Sequence, residues 1–115
     1  MRAELTKNFA FSACHSVQGR VLGRNYLLGI TCQWVPESRE KELNDVIRRE
    51  ILSKVENRDL GESVDFLRKA ALDEASLLEA FWKQLSGPLS DFGVKCLTLK
   101  RDSESSTTIW PESSL

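Results

Sequence analysis

The sequence predicts an α+β domain: a four-stranded antiparallel sheet with two helices on one face, in the order ββααββ. Three observations carry that expectation. Period-two alternation occupies the first third of the chain, helical stripes fill the middle, and alternation returns near the end. Strands that flank a block of helices, rather than alternate with them, form an antiparallel sheet covered on one side. At 115 residues, with no internal repeat, the chain reads as one domain over 1–115, long enough to bury a core.

The first strand is expected from Leu5 to Ala13, where Leu5, Phe9, Phe11 and Ala13 hold odd positions and Glu4, Thr6, Asn8 and Ser12 even ones. A polar, glycine-containing link from Ser16 to Gly23 leads to a second strand from Asn25 to Trp34. Its face of Tyr26, Leu28, Ile30, Cys32 and Trp34 is apolar, and Thr31 and Gln33 point the other way. Pro36-Glu37-Ser38 opens a helix, with Ser38 as N-cap and Glu40 and Glu42 near the positive end of the helix dipole. Leu43, Val46, Ile47, Ile51 and Val55 follow at helical spacing. After a mixed connector from Asn57 to Lys69, Asp73 caps a second helix with the stripe Leu77, Leu78, Phe81, Trp82 and Leu85, which Gly87-Pro88 ends. Val94–Arg101 reads as a third strand and Thr107–Trp110 as a fourth, joined by the polar tip Asp102–Ser106; Pro111–Leu115 is expected to fray.

Composition excludes several classes. The chain is 41% hydrophobic and 29% charged with a formal net charge of -1, so it exerts no general pull on nucleic acid or anionic membrane. Arg2, Glu4 and Lys7 interrupt the N-terminal stretch, so it is no signal peptide, and no window reaches the roughly 20 apolar residues of a membrane span. Cys14, Cys32 and Cys96 are odd in number and unrelated in spacing, which fits reduced thiols and a cytoplasmic location rather than a disulfide framework. Trp34, Trp82 and Trp110 read as core or interface anchors.

This element order, with Phe11-x-Ala13-x-His15 on the first strand, resembles the 6-pyruvoyl-tetrahydropterin synthase and 6-carboxytetrahydropterin synthase family, whose members share the tunnelling fold (T-fold). Gln18-Gly19-Arg20-Val21-Leu22-Gly23-Arg24-Asn25-Tyr26 is similar to the family's Cys-Gly-Arg-Leu-His-Gly-His-Asn-Tyr. Val55-Glu56-Asn57-Arg58-Asp59-Leu60-Gly61 resembles its Leu-Asp-His-x-x-Leu-Asn, and Asp73-Glu74-Ala75-Ser76-Leu77-Leu78 stands where Pro-Thr-x-Glu-x-Leu-Ala begins the second helix. Leu97-Thr98-Leu99-Lys100-Arg101 sits where a family strand ends in Glu-Thr.

The resemblance is to the frame more than to the working residues. Of the three zinc-ligand positions it implies, only His15 holds a histidine; Leu22 and Arg24 hold the others. The family's cysteine falls on Gln18, its Asp-His dyad on Glu56-Asn57, and its pterin-anchoring glutamate on Arg101. Gln18 forms no thiolate, Asn57 does not titrate near neutrality, and Arg101 only donates hydrogen bonds. Cys14 neighbours His15, but adjacent strand residues point to opposite faces; Cys32 lies about 26 Å beyond Arg24 along an extended strand. Spacing alone does not exclude Cys96.

No catalytic residue and no metal are therefore expected, and the zinc that the resemblance implies is expected to be absent. His15, Arg24 and Arg101 remain as a candidate ligand site. Two guanidiniums converging on one pocket suit a carboxylate or phosphate, unless each pairs with a local carboxylate such as Glu56 or Glu104. The leading expectation is a non-catalytic T-fold protein that binds a small pterin, purine or anion and forms a homo-oligomer, trimer or hexamer, as the resemblance implies. The alternatives are an active lyase on dihydroneopterin triphosphate, feeding tetrahydrobiopterin or queuosine-type synthesis, and a structural partner of a genuine family enzyme.

Overall fold

The first two strands run well past the limits their alternation predicts. In the computed structural model, which describes residues 2–67, 72–102 and 105–111, β1 (Glu4–Val17) and β2 (Arg20–Gln33) are 14 residues each. They pair antiparallel without interruption from Glu4↔Gln33 to Val17↔Arg20. The expected link from Ser16 to Gly23 is thus strand, apart from Gln18 and Gly19. Those two residues have φ of 51° and 79°, the left-handed conformations whose turn matches the twist of the flanking strands. Alternation fades beyond Ala13 because the covered face there carries His15 and Arg24, with Leu22 as its one aliphatic side chain. At roughly 3.3 Å per residue the hairpin sets the 51 Å long axis of the molecule.

β3 (Val94–Arg101) pairs antiparallel with β2, and β4 (Ser106–Ile109) with β3, giving the sheet order β1-β2-β3-β4. The pairing of β2 with β3 shifts register between Thr31 and Cys32, and β2 ends at Gln33. Trp34 therefore leaves the apolar face it was expected to share and is 60% exposed. Trp110 lies just past β4 and is equally open, so among the tryptophans only Trp82 packs against the core. Of the expected tip, Ser103 and Glu104 lie outside the described residues, as do Arg68 and Lys69 of the connector and all of the expected frayed end but Pro111.

Helical structure lies between β2 and β3, in more pieces than the two expected helices. α1 (Glu37–Ile47) passes through a π-helical turn (Arg48–Leu52) into the short α2 (Ser53–Val55), with helical backbone at each junction. Ile47, Ile51 and Val55 recur every four residues, more than the 3.6 of an α-helix, and the wider turn keeps all three against the sheet. Pro36, rather than Ser38, occupies the N-cap of α1 and supplies no side-chain hydrogen bond; its fixed φ, here -68°, starts the helix instead. A 3-10 turn (Asp65–Leu67) precedes α3 (Glu74–Leu85).

The core lies between the helices and one sheet face. Phe9, Phe11, Tyr26, Leu28, Ile30, Leu97 and Leu99 meet Leu43, Ile47, Ile51, Leu77, Leu78, Phe81 and Leu85, all buried. Among the described residues the opposite sheet face, with Thr6, Asn8, Ser12, Asn25 and Thr98, carries no helix. Among the described residues no helix is long and apolar enough to cross a membrane.

The cap of α3 is as expected. Asp73 accepts from the Ser76 N–H at 3.0 Å and the Ser76 hydroxyl at 2.8 Å, and these bonds hold its carboxyl below the ordinary 3.8. A depressed folded-state pKa contributes stability that is fully present above the unfolded value and lost as pH falls through the folded one. Asp73→Ala should therefore lower the urea midpoint at pH 7, and the gap from the native sequence should narrow in acid below pH 3.8. A gap that stays constant down to pH 2 would show that the carboxylate is not the capping group.

Candidate ligand site near the turn of the hairpin

The chain after α2 fixes the upper half of β1. Glu56 is extended, Asn57 takes a left-handed φ of 58°, and the segment then runs along the outer edge of β1. The Asn57 N–H donates to Ser12 O at 2.6 Å, the Cys14 N–H to Arg58 O at 3.0 Å, and the Leu60 N–H to Cys14 O at 2.8 Å. The Glu56 carboxylate accepts the Ser12 N–H at 2.6 Å. Glu56 and Asn57 thus serve the backbone of β1, and Gln18 stands exposed at the tip of the hairpin.

Register determines what shares the covered face. Phe11 is opposite Tyr26, Ala13 opposite Arg24, His15 opposite Leu22, and Tyr26 also lies opposite Arg101. His15, Arg24 and Arg101 therefore project from the same side of the sheet as Tyr26, with Arg101 beside it, Arg24 two residues along β2 and His15 four positions away toward the turn. His15 is 8% exposed, and its Nδ1 has no hydrogen-bond partner among the described residues. Arg24 donates from Nη1 to the carbonyl of its neighbour Gly23 at 3.1 Å. Arg101 pairs through Nε with Glu74 Oε1 at 3.3 Å. Neither guanidinium pairs with Glu56, which is taken by Ser12, and the other carboxylate considered, Glu104, lies outside the described residues.

Two residues that sequence reasoning missed complete the site. Tyr26 alternates with Leu28 and Ile30 and so reads as core, and Glu74 looks like an ordinary first-turn acid of α3. The Tyr26 ring stacks on Phe11 at 4.9 Å, and its hydroxyl is buried with no hydrogen-bond partner among the described residues. Burial pushes the phenol pKa up; Arg101, by its charge and as a donor toward the phenol oxygen in a geometry short of a regular hydrogen bond, and Arg24 act against that rise, and Glu74 adds to it.

The zinc set that the resemblance implies does not fit these residues. The side chain opposite His15 is Leu22, and the next on that face of β2 is Arg24; neither can ligate a cation. Cys14 alternates onto the opposite face and lines a cleft of about 360 Å³ with Ser12, Ala13, Gly23, Arg24, Asn25 and Asn57, so Arg24 borders this cleft as well. Cys32 and Cys96 are free and buried, and burial pushes the Cys32 thiol pKa up, against the thiolate a metal needs. Among the described residues no three His, Cys, Asp or Glu side chains converge.

No family model matches the sequence, and no curated protein matches it by sequence either. Among solved structures the chain is similar to 6-pyruvoyl tetrahydropterin synthase of Caenorhabditis elegans, with a TM-score of 0.73 at 15% identity, covering 97% of this chain and 99% of that one. The antiparallel sheet with helices inserted between its second and third strands is therefore the fold of a 6-pyruvoyl tetrahydropterin synthase.

Proposed function

We propose that this chain is a 6-pyruvoyl-tetrahydropterin-synthase-like T-fold protein that binds a small planar or anionic molecule and carries out no zinc-dependent catalysis. One observation carries the reading: His15, Arg24 and Arg101 share a sheet face with a buried tyrosine, while Leu22 and Arg24 stand where His15 would need fellow ligands. Elimination of triphosphate and the proton transfers around it need a polarised substrate and a titratable base. Gln18 and Asn57 supply no base, and Glu56 is engaged by the Ser12 backbone.

A homo-oligomer, trimer or hexamer, is part of the same reading. Among the described residues β4 has no strand on its outer side, and β1 has only the bridge of Cys14 to Asp59. Such edges invite pairing with further copies. Native mass measurement is expected to give a closed ring of this chain alone; a monomer that assembles only with an added family enzyme would favour the structural-partner alternative.

A thermal-shift screen of pterins, purines and small phosphates tests the ligand reading. A true binder raises the melting temperature progressively with concentration by mass action. The rise should shrink in Arg24→Ala and Arg101→Ala. Turnover of dihydroneopterin triphosphate by pure protein, abolished by a chelator, would instead establish the lyase.

A further inference from the structure

We infer that the ligand is an oxyanion, a carboxylate or phosphate, that displaces Glu74 from Arg101 and accepts the hydrogen bond of the Tyr26 hydroxyl. The inference rests on the ligand site proposed above and narrows what occupies it.

The donors there outnumber the acceptors. Tyr26 O–H, Arg24 and Arg101 are clustered by register, and a guanidinium has no lone pair to offer a hydroxyl. The carboxylate at hand, Glu74, meets Arg101 only through Nε at 3.3 Å and leaves the Tyr26 hydroxyl proton without an acceptor. Arg24 reaches no further than its neighbour's carbonyl. The missing group is therefore an acceptor with more than one oxygen. His15 Nδ1, buried and unpartnered two residues beyond Ala13 on the same face of β1, adds a second unsatisfied polar atom.

Glu74 behaves as a resident competitor. Both members of its pair with Arg101 are about a quarter exposed, at 27% and 28%, so the pair sits at the rim and is weak by its position. An incoming oxyanion that engages the guanidinium fork through two oxygens makes the stronger, bidentate contact. Leaving a buried hydroxyl unbonded is costly, and a ligand oxygen on Tyr26 removes that cost. The ring is already fixed against Phe11, so little freedom is lost when the bond forms.

Calorimetric titration with inorganic phosphate and with benzoate, at constant ionic strength against a chloride control, tests the inference and separates tetrahedral from planar oxyanions. Glu74→Gln is expected to tighten binding roughly threefold to tenfold by removing the competitor. Tyr26→Phe is expected to weaken it about tenfold or more through loss of a bond to a charged acceptor, with a melting temperature of the free protein equal to or above that of the native sequence. Unchanged binding in Tyr26→Phe, or weaker binding in Glu74→Gln, overturns the inference. If a pterin binds and neither substitution affects it, the inference falls while the proposed ligand site stands. If neither the native protein nor Glu74→Gln binds any pterin, purine or oxyanion, both fall.

Discussion

Replacing Leu22 and Arg24 together with histidine is expected to make this chain take up about one zinc ion per subunit. Leu22 lies directly across from His15, which places their Cβ atoms about 4.5–5.5 Å apart, and residue 24 follows on the same face of β2. Three imidazoles on one sheet face meet the ligand count of a catalytic zinc site with its fourth position open. The native chain offers one imidazole there, and the single substitutions only two. Elemental analysis after dialysis against trace zinc should therefore show a steep rise in the double variant alone. If the double variant stays metal-free while folded, the geometry of the upper hairpin differs from the register described.

The largest stability effect is expected at Phe81. Its side chain is fully buried, and its ring meets Phe11 at 6.2 Å edge-on and Phe66 at 6.1 Å. That junction joins α3, β1 and the 3-10 turn, so the cavity left by truncation has walls on three elements that cannot close together. Phe81→Ala should cost about 3–5 kcal/mol in urea unfolding, against a total of roughly 5–15 kcal/mol for a domain of ordinary stability. A loss below about 1 kcal/mol would mean that the core is centred elsewhere. Phe66, on the less buried side of the same junction, should be the milder site.

Most of the scaffold was legible because burial imposes a period. Phe9, Phe11, Leu28, Ile30, Leu97 and Leu99 alternate as a half-covered sheet requires, and Leu77, Leu78, Phe81 and Leu85 recur as one helix face. The two boundaries misread most were those where another rule acted. Hairpin pairing carries β1 and β2 through the polar positions His15 and Arg24, so the strands there were invisible to hydrophobic alternation. β2 ends at Gln33, one residue short of Trp34, an end point that no one-strand pattern reveals. The π-helical turn hid inside a stripe that looks helical whichever turn width it has.

The candidate site was partly legible for a different reason. Parity put His15 and Arg24 on the covered faces of their own strands, but their common face with Arg101 depends on pairing between strands distant in sequence. Glu74 as the partner of Arg101 is a tertiary contact that neither segment announces. Tyr26 was concealed by its own pattern, since a buried tyrosine in an alternating strand is core until its hydroxyl is found without a partner.

The central claim, a pterin-synthase fold whose metal-binding positions have been exchanged, is tested most directly by the metal content of native protein purified without chelator and without added zinc. The account predicts far less than one zinc per chain, unchanged on mild acid dialysis. One tightly held zinc per chain would contradict it.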